Sequence, residues 1–108
     1  MELDSESVPA YRALGTAALI RIPLVTEAGT NPREVMTIAE SSLERATRLD
    51  PQAVYSVNNL AWAYFKRAEY EIFVGGEDPL PALDESIGAA RRALELRPNH
   101  LTAVNVLL

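Results

Sequence analysis

The chain is 108 residues long, contains no cysteine and has a formal net charge of −5. This length is enough for one small domain. The lack of cysteine excludes a disulfide framework and thiolate metal sites, and the negative charge argues against a nucleic-acid or anionic-membrane surface.

The first predicted helix runs from about residue 8 to residue 27 and ends before Gly29, which supplies the left-handed backbone of a helix end. Pro23 is expected to kink this helix or to end it near Ile22. The helix is apolar on most sides, which is expected of a helix covered by more than its hairpin partner, and which would also suit an oligomer surface.

The second predicted helix begins after Pro32 and continues to Leu49. Asn31 and Glu34 stand three positions apart and form a capping-box pattern, which is an independent sign of a helix start. The residues before this helix therefore predict a tight turn between two antiparallel helices.

The third and fourth predicted helices repeat this plan. The third runs from about Pro51 to Val74 and stops at Gly75-Gly76. The fourth begins at Asp78-Pro79, with the aspartate as the predicted N-cap, and continues to Leu96.

The chain also matches itself at a spacing of 47 residues. Three of the matching pairs are Gly29 with Gly76, Pro51 with Pro98, and Asn58 with Asn105. A fixed spacing of this size is typical of stacked helical units. We predict one domain over residues 1–108, with hairpins over about 8–49 and 51–96 and the start of a third over 98–108.

The repeat resembles the tetratricopeptide family in its spacing. The first helix of the second hairpin carries the family's pattern of packing residues at Val57, Leu60, Ala61 and Tyr64. In both second helices the closing proline lies eight residues beyond the large-residue position, as in Leu43 with Pro51 and Ala90 with Pro98. The resemblance implies an all-α fold of antiparallel hairpins stacked as a short right-handed α-solenoid. Because the family's standard period is about 34 residues, the longer repeat implies tall hairpins.

A narrower resemblance covers the second repeat. The runs 58–65 and 78–83 look like the long-period tetratricopeptide arrays that follow the catalytic domain in some bacterial eukaryotic-like serine/threonine kinases. The chain has neither the Gly-rich phosphate loop nor the His-Arg-Asp run of a kinase. The resemblance therefore implies a non-enzymatic, regulatory piece of a larger signalling protein.

Tetratricopeptide proteins usually bind a peptide or a partner helix in a concave groove lined by the first helix of each hairpin. By that resemblance, the groove residues are Tyr11, Tyr55, Asn58, Trp62, Phe65, Lys66, Thr102 and Asn105. Tyr11, Asn58 and Asn105 occupy the same position in successive repeats. We therefore expect their side chains to form a row, or ladder, across the inner face of the groove. Asparagine suits this role because its amide both donates and accepts hydrogen bonds.

Each groove residue also has a plainer interpretation. The two asparagines would equally be solvated, or would form hydrogen bonds between neighbouring helices. Trp62 would equally be a packing residue of the long third helix. The aromatic cluster of Tyr64, Phe65, Tyr70 and Phe73 is interpreted as core.

A catalytic role is not expected. His100 is the single histidine, and it follows Pro98 in a predicted turn without a cysteine partner or a nearby serine. Zinc and calcium loop spacings are absent, so no metal or other cofactor is expected. The acidic start of the chain does not fit a secretory signal and no apolar run is long enough for a membrane span, which favours a cytoplasmic protein.

The alternative function is self-association. Repeat arrays generally need three or more units, and this chain contains about two. Val104, Leu107 and Leu108 would form the apolar start of a helix without a partner hairpin in the chain. Either the chain belongs to a longer array, or two copies join through this C-terminal edge.

Overall fold

The computed structural model describes residues 7–97, in which every element is helical. The helices are α1 (Val8–Glu27), α2 (Arg33–Leu49), α3 (Val54–Tyr70) and α4 (Leu80–Leu96), and a π-helical turn, Glu71–Gly75, continues α3 without a break. The all-α prediction is confirmed for this part of the chain, with α3 beginning at Val54 and not at Pro51. None of these helices has the length and hydropathy that a membrane crossing requires.

The four helices pack as two antiparallel hairpins, α1 with α2 and α3 with α4. α2 also packs against α3, which joins the hairpins, whereas α1 and α3 touch over a smaller region. Within residues 7–97, α4 packs against α3. The prediction that successive hairpins wind into a right-handed solenoid stays a prediction.

The core is built largely from small residues at the places where helices cross. One cluster joins the two hairpins and consists of Ala18, Ala39, Leu43, Leu60 and Ala63. A second cluster lies within the α3–α4 hairpin and consists of Val54, Val57 and Ala93. Alanine at a crossing lets two helix backbones approach closely. The core can therefore be buried although it contains few large side chains.

We call α3 together with the π-helical turn that follows it the α3 arm. The turns that end α1 and the α3 arm share one geometry. Gly29 and Gly76 both adopt left-handed backbone, with φ of 79° and 80°. This conformation is easy only for glycine, and both positions were predicted as helix ends.

The expected capping box at the start of α2 is wrong. No side chain caps the helix itself. Instead, Asn31 Oδ1 accepts a hydrogen bond from the N–H of Arg33 at 2.9 Å. Asp78 does the same for the N–H of Leu80 at 3.0 Å, ahead of α4. In both turns a proline follows the Asx residue and lacks an N–H, so the side chain reaches the next available donor.

The 47-residue spacing also needs a correction in the first helices. α2 and α4 begin 47 residues apart, at Arg33 and Leu80, but α1 and α3 begin 46 apart, at Val8 and Val54. The π-helical turn accounts for the extra residue, because a π turn contains one residue more than the α-helical turn it replaces. Tyr11 therefore corresponds to Val57 and not to Asn58, so these two predicted members of the ladder do not share one position in the repeat, and the third, Asn105, lies outside the described residues.

Packing against the second helices supports the corrected spacing. A Cβ atom placed on Gly15 would lie 3.3 Å from the carbonyl oxygen of Ala39. In the other hairpin the neighbouring pair is Ala61 with Ser86, whose hydroxyl donates a 2.9 Å hydrogen bond to the carbonyl oxygen of Ala61. Ala39 and Ser86 are 47 residues apart and Gly15 and Ala61 are 46 apart, so the first helices are offset by one residue.

Pro23 does not end α1, which continues to Glu27. Ile22 is buried immediately before the proline and Val25 is half-buried two residues after it. Burial on both sides holds the helix in place, and tertiary packing outweighs the local preference of proline to break a helix.

Candidate partner-binding groove

A groove lies between α1 and α3, which run parallel because each is antiparallel to α2. The two helices are bridged where Asn59 Nδ2 donates to Thr16 Oγ1 at 3.2 Å. We call this cleft the α1–α3 groove. It has one opening near the N-terminal halves of the helices and another near their C-terminal ends, here named the proximal and distal pockets.

The proximal pocket encloses about 540 Å³ and is partly polar. Its lining consists of Pro9, Arg12, Ala13, Thr16, Tyr55 and Asn59. Arg12 is the charged residue of this lining, so this end of the groove favours an acidic group. Tyr55, predicted as a groove residue from the sequence, lines this pocket.

The distal pocket encloses about 310 Å³ between the ends of the two helices. Its lining consists of Ile22, Pro23, Thr26, Glu27, Lys66, Glu69, Tyr70, Phe73 and Val74. Most of these side chains are apolar, and Phe73 and Val74 are 78% and 66% exposed. Lys66, another predicted groove residue, lies on the rim and pairs with Glu69 at 3.3 Å.

The charge around the distal pocket is negative. Glu27 and Glu69 contribute two carboxylates against the single ammonium of Lys66. The C-terminal ends of α1 and of the α3 arm also point here, and each adds partial negative charge from its terminal carbonyl groups. The distal pocket therefore suits an apolar group that has a cationic neighbour.

A partly buried ion pair holds the end of the α3 arm beside this pocket. Arg33 donates to both carboxylate oxygens of Glu71, from Nε at 3.0 Å and from Nη2 at 2.7 Å. Glu71 is only 4% exposed, and it also accepts the N–H of Glu77 at 3.3 Å. The Arg33 guanidinium holds the pKa of Glu71 below its usual range, and Glu71 in turn raises the pKa of Arg33.

The same arginine positions an aromatic wall of the pocket. The Arg33 guanidinium lies over the ring of Tyr70, 5.4 Å from its centroid. Tyr70 precedes the π-helical turn, and Phe73 and Val74 lie within it. Arg33 and Glu71 thus hold the segment that presents all three pocket residues.

Two further polar contacts join α2 to α3 away from the groove. Arg67 pairs with Glu40 at 2.5 Å, although burial still raises the pKa of that carboxyl. The hydroxyl of Tyr64 donates to Glu44, and burial together with this carboxylate raises the pKa of Tyr64. Both contacts tie the hairpins together, and neither faces the groove pockets described above.

The remaining predicted groove residues within the described part of the chain are buried or half-buried. Trp62 and Phe65 are half-buried on α3 and pack edge to face, with their ring centroids 5.3 Å apart. Asn58 is 5% exposed, and within the described part of the chain its Oδ1 has no hydrogen-bond partner. Tyr11 is half-buried with the guanidinium of Arg45 5.8 Å from its ring centroid.

Residues Thr102, Val104, Asn105, Leu107 and Leu108 lie outside the described residues. Their roles in the groove and at the C-terminal edge stay predictions. Phe73, by contrast, was predicted as core and is exposed, because the π-helical turn changes the direction of the side chains that follow Tyr70. No local sequence signal marks that turn.

The described residues offer no group of three His, Asp or Glu side chains that could hold a metal ion. Comparison of the chain with protein-family models, curated proteins and solved structures finds no significant match. The shape and charge of the α1–α3 groove therefore carry the functional conclusion.

Proposed function

We propose that this chain is a non-enzymatic, tetratricopeptide-type interaction module that binds a peptide or partner helix in the α1–α3 groove. One observation carries the proposal: Phe73 and Val74 are exposed around a cavity of about 310 Å³, while the ion pair of Arg33 with the buried Glu71 holds their backbone. Large apolar side chains that surround an open cavity mark a binding surface, because their exposure to water is otherwise unfavourable.

The charges of the groove define the partner that fits it. An apolar or aromatic side chain would enter the distal pocket, next to a basic residue facing Glu27 and Glu69. An acidic residue would lie near Arg12 in the proximal pocket. The net charge of −5 favours a basic partner as well.

The order of helix packing supports the resemblance on which the proposal rests. α2 lies between the two first helices, so α1 and α3 are left to line a common cleft. In tetratricopeptide proteins the first helices line the binding groove. Tyr55 and Lys66 line this cleft and were predicted as groove residues from the sequence.

The test is a selection from a random peptide library displayed on phage, with the wild-type chain as bait. We expect the recovered peptides to share a large apolar residue next to Lys or Arg. Phe73→Asp should weaken the binding of these synthetic peptides about tenfold or more, because it places a carboxylate in the apolar wall. Fluorescence anisotropy of labelled peptides measures the change.

Leu80→Asp is the matched control. Leu80 is 61% exposed on α4 and does not line the groove, so this variant should bind the peptides as the wild type does. Circular dichroism checks that both variants keep their helices. Recovery of no peptides, or peptides that bind the wild type and Phe73→Asp equally well, would show that the proposal is wrong.

A further inference from the structure

The outward face of α1 carries a second apolar surface, separate from the distal pocket. Ala13, Ala17, Ile20 and Leu24 are all exposed, and their spacing places them on one side of the helix. Ile20 is 63% and Leu24 is 61% exposed, which is unusual for large aliphatic residues in the middle of a long helix. We call these four residues the α1 stripe.

The stripe itself adds no charge repulsion to a contact between two acidic chains. None of its four residues is ionisable, and α1 as a whole carries Arg12, Arg21 and Glu27, a net charge of +1. The whole chain has a net charge of −5, so the negative charge lies elsewhere. In a contact between two copies, the four stripe residues therefore bring no carboxylates together.

We infer that the α1 stripe is the contact surface for a second copy of this chain, with the two α1 helices packed antiparallel. In this arrangement Ala17 lies opposite Ile20 of the other copy, and Ala13 lies opposite Leu24. Each large side chain then faces a small one, so the two helices interdigitate. The contact is the same on both copies, and it closes as a twofold dimer.

Other arrangements fit the stripe less well. In a parallel pair, Ile20 would face Ile20 and Ala17 would face Ala17, which leaves overpacked and empty places along the same contact. In a head-to-tail stack, α1 of one copy would lie against the outer side of another copy's α3 arm, near Ile72. The pairing of small with large residues along α1 therefore favours the antiparallel dimer.

The dimer differs from the self-association expected from the sequence, which uses the C-terminal edge at Leu107. It does not depend on peptide binding in the distal pocket, because none of the stripe residues lines that pocket. Ala13 is shared with the lining of the proximal pocket, whereas Ala17, Ile20 and Leu24 line neither pocket of the groove. The two proposals can thus fail separately: Phe73→Asp tests the groove, and substitutions in the stripe test the dimer.

The first experiment measures molar mass by size-exclusion chromatography with light scattering over a range of protein concentrations. We expect the mass of the wild type to rise from one chain to two and to stop there. Ile20→Asp should remain at one chain, because two carboxylates would be placed in the contact. Ile72→Asp changes an aliphatic residue of similar size that is 54% exposed outside the stripe, and it should dimerise as the wild type does.

The second experiment uses the absence of native cysteine to define the orientation. Under mild oxidation, a mixture of Ala13→Cys and Leu24→Cys chains should form a disulfide-linked pair, and each variant alone should form much less. Efficient linking of each variant with itself would show a parallel pair and would overturn the proposed geometry.

Three results would overturn the dimer itself. The wild type could stay at one chain at every concentration. Ile72→Asp could abolish association while Ile20→Asp keeps it, which would identify a head-to-tail stack. Leu107→Asp could abolish it while Ile20→Asp keeps it, which would move the contact to the C-terminal edge.

Discussion

At the scale of single residues, Gly15 sets the distance between α1 and α2. A Cβ atom at this position would lie 2.5 Å from Cγ and 2.9 Å from Cδ2 of Leu43. Leu43 is fully buried in the cluster that joins the hairpins, so it has little room to move. We therefore expect Gly15→Ala to lower the free energy of unfolding by about 1–3 kcal/mol, through overpacking.

Gly88→Ala is the matched control for this substitution. Gly88 also lies within a helix, but a Cβ atom there would meet nothing within 4 Å. Alanine should stabilise α4 by about 0.5–1 kcal/mol, because it restricts the unfolded backbone more than glycine does. Chemical denaturation measures the free energy of unfolding of both variants. A change of the same sign in both would contradict this account of Gly15.

At the scale of elements, the helix ends follow from local chemistry and were predictable. Gly29 and Gly76 provide left-handed backbone, and Pro32 and Pro79 precede helices in which their missing N–H costs little. These effects act within a few residues, so a single sequence contains them. The helix order and the all-α class follow in the same way.

The π-helical turn could not be predicted, because its cause is not local. One added residue barely alters the apolar spacing of α3, and Glu71 in sequence resembles an ordinary solvated glutamate. Its burial depends on Arg33, which lies 38 positions earlier in the chain. The exposure of Phe73, and with it the distal pocket, depends on the same turn.

Glu71→Gln tests whether this ion pair holds the α3 arm against α2. We expect a loss of about 1–3 kcal/mol at neutral pH, because charge-assisted hydrogen bonds to Arg33 are replaced by weaker ones. Urea denaturation measures the loss. Glu95→Gln removes an exposed carboxylate from α4 and controls for the change of one charge.

The pH dependence provides a second measure of the same pair. Arg33 lowers the pKa of Glu71 from its ordinary 4.5, so the folded chain holds this proton less tightly than the unfolded chain does. The stability due to Glu71 is therefore present above pH 4.5 and is lost as the pH falls through the lowered pKa. Stability of Glu71→Gln should fall less steeply in acid than that of the wild type, and equal slopes would contradict the assignment.

At the scale of the whole molecule, the two hairpins share one core. Leu43 of the first hairpin packs in a cluster with Leu60 and Ala63 of the second. The resemblance to a repeat family predicted that neighbouring hairpins would stack. It did not predict which residues would join them, because the sequence does not reveal that α1 and α3 correspond at a spacing one residue shorter than α2 and α4 do. Because the hairpins share this cluster, the stability of each should depend on their mutual contacts as well as on the hairpin alone.

Leu43→Ala should therefore destabilise both hairpins together. Truncation of this fully buried leucine should cost about 2–5 kcal/mol, and Leu80→Ala on the exposed side of α4 should change stability by less than about 0.5 kcal/mol. Trp62, the single tryptophan, reports on the second hairpin, whereas far-ultraviolet circular dichroism reports on all the helices. The two signals should shift to the same lower midpoint in urea, because loss of the shared cluster removes support from α3 as well as from α2. A Trp62 transition that stays at the wild-type midpoint would mean that the hairpins unfold independently and that the shared cluster contributes little to their coupling.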